Sequence, residues 1–151
     1  ALIMKPQIHL LDEPFGALDE ATREDLQRML LGLYAENRTA KAKGEEPPYT
    51  IFIVTHELNE AIYVGDRVLG LSQYWDWKSE DIPAFPGATV IYDKPAPVYD
   101  TDQVKDADVF NSMREEIRKV VFEENHLQDR ALHCTFWEEV KSGAGQGILS
   151  P

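Results

Sequence analysis

Asp12 and Glu13 stand side by side, Asp19 follows after a proline-glycine turn, and His56 comes at the end of a second apolar run. Two adjacent carboxylates repel each other, so the pair invites a divalent cation such as Mg²⁺ to neutralise one of them. An imidazole at a strand end can donate a hydrogen bond and orient a water molecule. The plainer alternatives are a strand end whose acids face water and help cap the next helix, and a histidine that serves as a structural hydrogen-bonding group. Choosing between them depends on what brings these residues together.

Ile8, Leu10 and Leu11 suit a short strand covered on both faces, as in a parallel sheet. Asp12 and Glu13 would then emerge at the carboxyl end of that strand, where ligands sit in open α/β sheets. Pro14 restricts the residue before it, which predicts extended geometry through Glu13. From Glu20 to about Asn37, Leu26, Met29, Leu30, Leu33 and Tyr34 fall at spacings of three and four and predict a helix. Asp19 is placed to be its N-cap, with Glu20 in the first turn. Thr39 to Pro48 reads as a solvated polar loop. Tyr49 to Val54 is a second strand, rich in β-branched and aromatic residues and again apolar on both faces, ending at Thr55-His56-Glu57. His56 therefore lies on the same sheet edge as the two acids.

A helix from about Leu58 to Gly65 and a strand from Arg67 to Ser72 complete an order that implies parallel pairing with right-handed crossovers. Gln73 to Gly87, with Tyr74, Trp75 and Trp77, reads as a loop lying on the sheet edge through its rings rather than as a ligand site. Ala88 to Tyr92 is expected as an antiparallel edge strand, and Asp93 to Asp102 as an extended connection. Phe110, Met113, Ile117, Val120 and Val121 form one face of a helix from about Asp108 to Glu124. A further short helix is expected within His126 to Val140, carrying Leu127, Leu132, Phe136 and Trp137. Ser142 to Gly147 has the composition of a flexible tail.

The 151 residues carry a formal net charge of −12, which argues against nucleic acid and against docking on anionic lipid through the bare surface. A single cysteine, Cys134, leaves no internal disulfide framework and fits a reducing compartment. No apolar run approaches the ~20 residues that span a bilayer. Ala1 to Pro6 has the look of a helix end broken at Pro6, which suggests a chain that starts inside a domain.

The string Ile8-His9-Leu10-Leu11-Asp12-Glu13-Pro14-Phe15-Gly16-Ala17-Leu18-Asp19 resembles the Walker B and D-loop segment of ABC transporter ATPase subunits. Thr55-His56-Glu57, Glu60-Ala61 and Asp66-Arg67-Val68 follow in the order and at the spacing of that family's H-loop region. Glu57 stands where an aspartate is more usual and keeps the charge. Phe15 to Asp19, Thr22-Arg23 and Glu57 to Ala61 look like the importer subunits for nitrate, sulfonate and taurine, with a likeness to osmoprotectant and polyamine importers as well. No Gly-x-x-x-x-Gly-Lys-Ser/Thr phosphate loop, Leu-Ser-Gly-Gly-Gln signature or Q-loop occurs. The resemblance covers roughly the first seventy residues and is weak from Gln73 onward.

What the resemblance implies is an α/β fold: part of a P-loop NTPase sheet, with parallel strands flanked by helices and a small helical carboxyl-terminal appendage. The ATPase portion would be residues 1–93 and the extension with its tail 94–151. Asp12 would hold Mg²⁺ through water, and Glu13 would be the general base for hydrolysis of the ATP γ-phosphate. His56 would contact that phosphate, and Asp19 would belong to the segment that couples two ATP sites across a dimer. Expected partners are transmembrane permease subunits, a second ATPase subunit and the amino-terminal half of the same domain, at the cytoplasmic face of the cell membrane. Without a phosphate loop this chain is expected to be inactive alone. A non-catalytic binding or regulatory module with the same fold is the alternative. A chromosome-maintenance or DNA-repair ATPase fits less well, because the chain is acidic and lacks coiled-coil heptads.

Overall fold

A computed structural model describes residues 6–80, 87–99, 107–124, 127–129 and 132. The chain is α/β and divides into two compact units, residues 1–65 with 97–106 and residues 66–96 with 107–151. The expectations for Ala1 to Lys5, for most of the second carboxyl-terminal helix with Phe136 and Trp137, and for the tail lie outside the described residues.

In the first unit, β1 (Ile8–Asp12) pairs in parallel with β2 (Thr50–Val54), with His9 opposite Ile51, Leu10 opposite Phe52 and Asp12 opposite Val54. Between them runs α1 (Glu20–Ala42), and β2 is followed by α2 (Leu58–Val64), which packs against α1. Asp19 caps α1 as expected, accepting a hydrogen bond from the Thr22 amide at 3.0 Å. The helix runs beyond Asn37 and takes in Thr39 to Ala42, so the polar loop begins later than expected. Ala40 is buried there, Thr39 Oγ1 donates to the Ala35 carbonyl, and the helix ends at Lys43 before Gly44, whose φ of +76° suits glycine. Asn37 ties α1 to the start of β2: its side chain donates to the Tyr49 carbonyl at 2.7 Å and accepts from the Tyr49 amide at 2.9 Å. Phe15, Leu30, Leu31, Leu33, Ala40, Ile62 and Tyr99 are the buried apolar residues of this unit among those described.

Coverage on both faces, expected for β1 and β2, is not what the structure shows. His9 is buried and Leu11, Ile51 and Ile53 are half-buried, but the opposite row of Ile8, Leu10, Phe52 and Val54 is exposed. Side chains alternate between faces along a strand, so one whole face of the pair is open among the described residues.

The second unit contains β3 (Arg67–Ser72) and β4 (Thr89–Pro95), paired antiparallel, with α3 (Ala107–Phe122) packed on the pair. The antiparallel fourth strand is borne out, though it continues through Asp93 to Pro95. The parallel pairing expected for all three earlier strands is not: β3 pairs with β4, and the parallel sheet consists of β1 and β2. Phe110, Met113, Ile117, Val120 and Val121 are all buried, as their spacing predicted. Gly70 lets helix and sheet approach, since a Cβ there would lie 2.5 Å from Val121 Cγ2 and 3.0 Å from Tyr92 Cβ. Arg67 pairs with the buried Asp93, and Glu116 of α3 receives hydrogen bonds from Lys94 and from the Tyr92 hydroxyl. Burial, with the Glu116 charge beside it, pushes the Tyr92 hydroxyl far up, so it stays a donor. Trp75 is 2% exposed, and its indole N–H donates to the Gly87 carbonyl.

Candidate functional site

β1 and β2 run in the same direction, so the residues that follow them emerge at one edge. The Glu13 amide donates to the Val54 carbonyl at 2.8 Å, the last bond of the pair before the chain turns. At that point Glu13 adopts φ +46°, and its carbonyl accepts from the Gly16 amide at 3.3 Å. The expectation that Pro14 would hold Glu13 extended is therefore corrected. Proline acts against the right-handed helical region of the preceding residue, and Glu13 instead takes a left-handed φ where its amide bonds to Val54 and its carbonyl to Gly16. A non-glycine residue there carries strain, of the kind found at functional sites.

That turn has a chemical result. Glu13 Oε1 lies 2.8 Å from His56 Nδ1. An ionised carboxylate only accepts, so Nδ1 carries the proton and Nε2 is left facing outward from the pair. The hydrogen bond to Glu13 raises the His56 pKa, reinforced by the Glu13 charge and, to a lesser extent, by Glu57 and Glu60. Both partners stay accessible, with His56 at 74% and Glu13 at 41% side-chain exposure, so a ligand can reach them.

Asp12 is exposed at the end of β1, on the open face and opposite Val54. Its hard oxygen donors are the right type for Mg²⁺. Among the described residues no group of three or more His, Cys, Asp or Glu side chains is gathered that could hold a metal ion. Asp19 is engaged elsewhere: Thr22 donates to it from its amide at 3.0 Å and from its hydroxyl at 2.8 Å. Those two bonds lower its pKa, the amide contributing most. Glu13 and His56 are thus brought into direct contact, with Asp12 next in the chain. Asp19 is held at the start of α1 and faces Thr22.

Three residues around His56 were not singled out for chemistry. Thr55 Oγ1 accepts from the Glu57 amide at 3.1 Å and donates to Glu60 Oε2 at 3.0 Å. Arg23 Nε lies 3.7 Å from Glu60 Oε1, and Arg23 Nη2 donates to the Leu18 carbonyl at 3.4 Å. A threonine just before the histidine, with a glutamate five residues on, was the available signal: such hydroxyls bond to backbone amides two residues ahead.

No family model matches the chain. Individual proteins do. It is 39% identical over 83 residues to the aliphatic sulfonates import ATP-binding protein of Zymomonas mobilis, covering 55% of this chain and 30% of that protein. It is 33% identical over 137 residues to the taurine import ATP-binding protein of Rhizobium johnstonii, covering 87% of this chain and 44% of that one. With the nitrate import ATP-binding protein of Synechococcus elongatus it shares 41% identity over 69 residues, 46% of this chain and 22% of that protein. The chain spans less than half the length of each of these relatives.

Proposed function

We propose, from the premise that this chain is a relative of ABC-importer ATP-binding subunits, that it forms the water-activating and phosphate-sensing part of an ATP-hydrolysing site. The 2.8 Å contact between Glu13 and His56 at the carboxyl ends of two parallel strands carries this reading. The imported solute would be a small anion or zwitterion of the nitrate, sulfonate or taurine kind. Permease subunits and a second ATP-binding subunit would be its partners, at the cytoplasmic face of the membrane. Among the described residues no helix is long and apolar enough to cross a membrane, which suits a peripheral subunit.

The residues fit the nucleotide and its metal in the character of their donors. Asp12 would hold Mg²⁺ through water, and the ion would supply positive charge to the phosphates. Glu13 has Oε1 committed to His56, which leaves Oε2 to accept a proton from an attacking water. His56, held through Nδ1, offers Nε2; in the protonated ring favoured by Glu13, that atom donates to a phosphate oxygen. Asp19 fixes the start of α1 and, as part of the D-loop-like segment, would face a second subunit. The phosphate-gripping loop is missing from this sequence, so it would have to come from other sequence.

A fusion of this chain to the phosphate-loop and signature segments of an importer subunit tests the reading. The fusion should hydrolyse Mg-ATP, and Glu13→Gln should lower kcat by about 10²-fold or more while nucleotide binding persists. Retained turnover in the Glu13→Gln fusion would overturn it. The missing loop also favours a second reading, a non-catalytic module; on both readings the chain alone should show negligible turnover.

A further inference from the structure

His56 has a difficulty that its chemistry does not solve. Its ring is largely exposed, so packing cannot orient it, and its described side-chain partner is Glu13. The direction of the ring must come from the backbone that carries it. That backbone is fixed on one side by the Thr55 hydroxyl, which accepts from the Glu57 amide and so closes the turn around His56. The same hydroxyl has one proton, given to Glu60 Oε2. Glu60 lies in the first turn of α2 with its side chain only 11% exposed, and its other oxygen faces Arg23 on α1. Arg23 in turn holds the Leu18 carbonyl, next to Asp19.

We propose that Thr55, Glu60 and Arg23 are positioning residues, a relay of side chains that sets the His56 ring against Glu13 and links the His56 turn to the Leu18–Asp19 segment. The links are unequal. Both Thr55 contacts are ordinary hydrogen bonds, while the 3.7 Å between Arg23 Nε and Glu60 Oε1 is an ion pair beyond hydrogen-bond length. Thr55 therefore matters most to His56 and Arg23 least. The inference deepens the reading of Glu13 and His56 as a phosphate-facing pair and rests on it for its meaning, but its test needs no nucleotide.

The test is the imidazole nitrogen spectrum of His56 in this chain, which separates the Nδ1-protonated, Glu13-bonded ring from the freely averaging one. Thr55→Val keeps the side-chain shape and removes both hydroxyl bonds. It should lower the ratio of Glu13-bonded to freely averaging ring by about threefold to tenfold, the factor carried by losing the one bond that closes the turn, from the Glu57 amide to Thr55 Oγ1. Thr55→Ser should restore it. Glu60→Gln should give a smaller loss and Arg23→Gln the smallest, with thermal melts recorded beside each spectrum. A purely structural role would lower the melting temperature of these variants and leave the ring signals of the folded chain unchanged; that result would overturn the proposal. Should Thr55→Val fail to fold, Glu60→Gln decides: unchanged His56 signals in it would also overturn the relay. Failure of the ATPase fusion with altered His56 signals would count against the function alone.

Discussion

Glu13 is the residue on which the chemistry of His56 turns. Because the hydrogen bond and charge of Glu13 raise the His56 pKa, Glu13→Gln should bring it back toward the ordinary value of 6.5. An NMR titration of the ring reads this directly; an unmoved midpoint would show that the contact is absent in solution. The sign for stability follows. A raised folded-state pKa means that the pair stabilises the fold fully below the unfolded value of 6.5 and loses that contribution as pH rises through the raised value. Asp19 works in the opposite direction: its lowered pKa gives a contribution present above 3.8 and lost as pH falls through the lowered value. His9 is a different case. It is 3% exposed, lies edge-on to Tyr49 at 5.8 Å, and its Nε2 is buried without a hydrogen-bond partner among the described residues. His9→Leu removes an unpaired polar group at similar volume, so stability should rise by about 1 kcal/mol, seen as a higher urea midpoint. A lower midpoint would mean that Nε2 does find a partner.

Helix and sheet meet most tightly at Gly70, and that contact gives the sharpest test of an element. A methyl group there meets the side chain of Val121 and the Cβ of Tyr92, so Gly70→Ala should destabilise by about 1–3 kcal/mol through overpacking. Ile117→Ala, at a site 1% exposed, should cost about 2–5 kcal/mol by leaving a cavity. Denaturant midpoints measure both; a neutral Gly70→Ala would mean that α3 sits farther from the strands. α3 was legible in the sequence because its five apolar positions repeat at helical spacing and all five face one core. The strands and the Asp19 cap were legible too, since local residue types decide them. Strand partners were not. The order of elements predicted a parallel place for β3, but pairing is set by long-range contacts, and β3 joined β4 instead. Glu13 was misjudged for a related reason: the rule for a residue before proline is local, while Glu13 takes its left-handed φ where its amide bonds to Val54 and its carbonyl to Gly16. Of the candidate site, Asp12, Glu13 and His56 could be read from residue type and strand ends. Of the Thr55–Glu60–Arg23 contacts, the Thr55 turn and its glutamate five residues on are local and leave a signal in the sequence, whereas the approach of Arg23 to Glu60 joins two helices and no spacing reveals it.

At the scale of the whole chain, two properties oppose each other. The net charge of −12 keeps copies apart, while Ile8, Leu10, Phe52 and Val54, at 63, 76, 54 and 61% exposure, offer one flat apolar face. Leu10 and Phe52 are direct cross-strand neighbours, so the face is continuous at its centre. Charge repulsion is screened by salt, with a Debye length of about 10 Å at 0.1 M and about 3 Å at 1 M, whereas burial of apolar surface is not weakened by it. The isolated chain should therefore self-associate with rising concentration, and more strongly at high salt, in sedimentation velocity. Leu10→Lys with Phe52→Lys separates the two causes. The added lysines bring the chain nearer neutrality, which by charge alone would favour association, yet they interrupt the centre of the apolar face. Association should fall in this variant, with little change in stability because both side chains are exposed. A monodisperse monomer at every concentration and salt would instead show that this face is covered by the chain itself, and association unchanged by the two lysines would assign it to another surface.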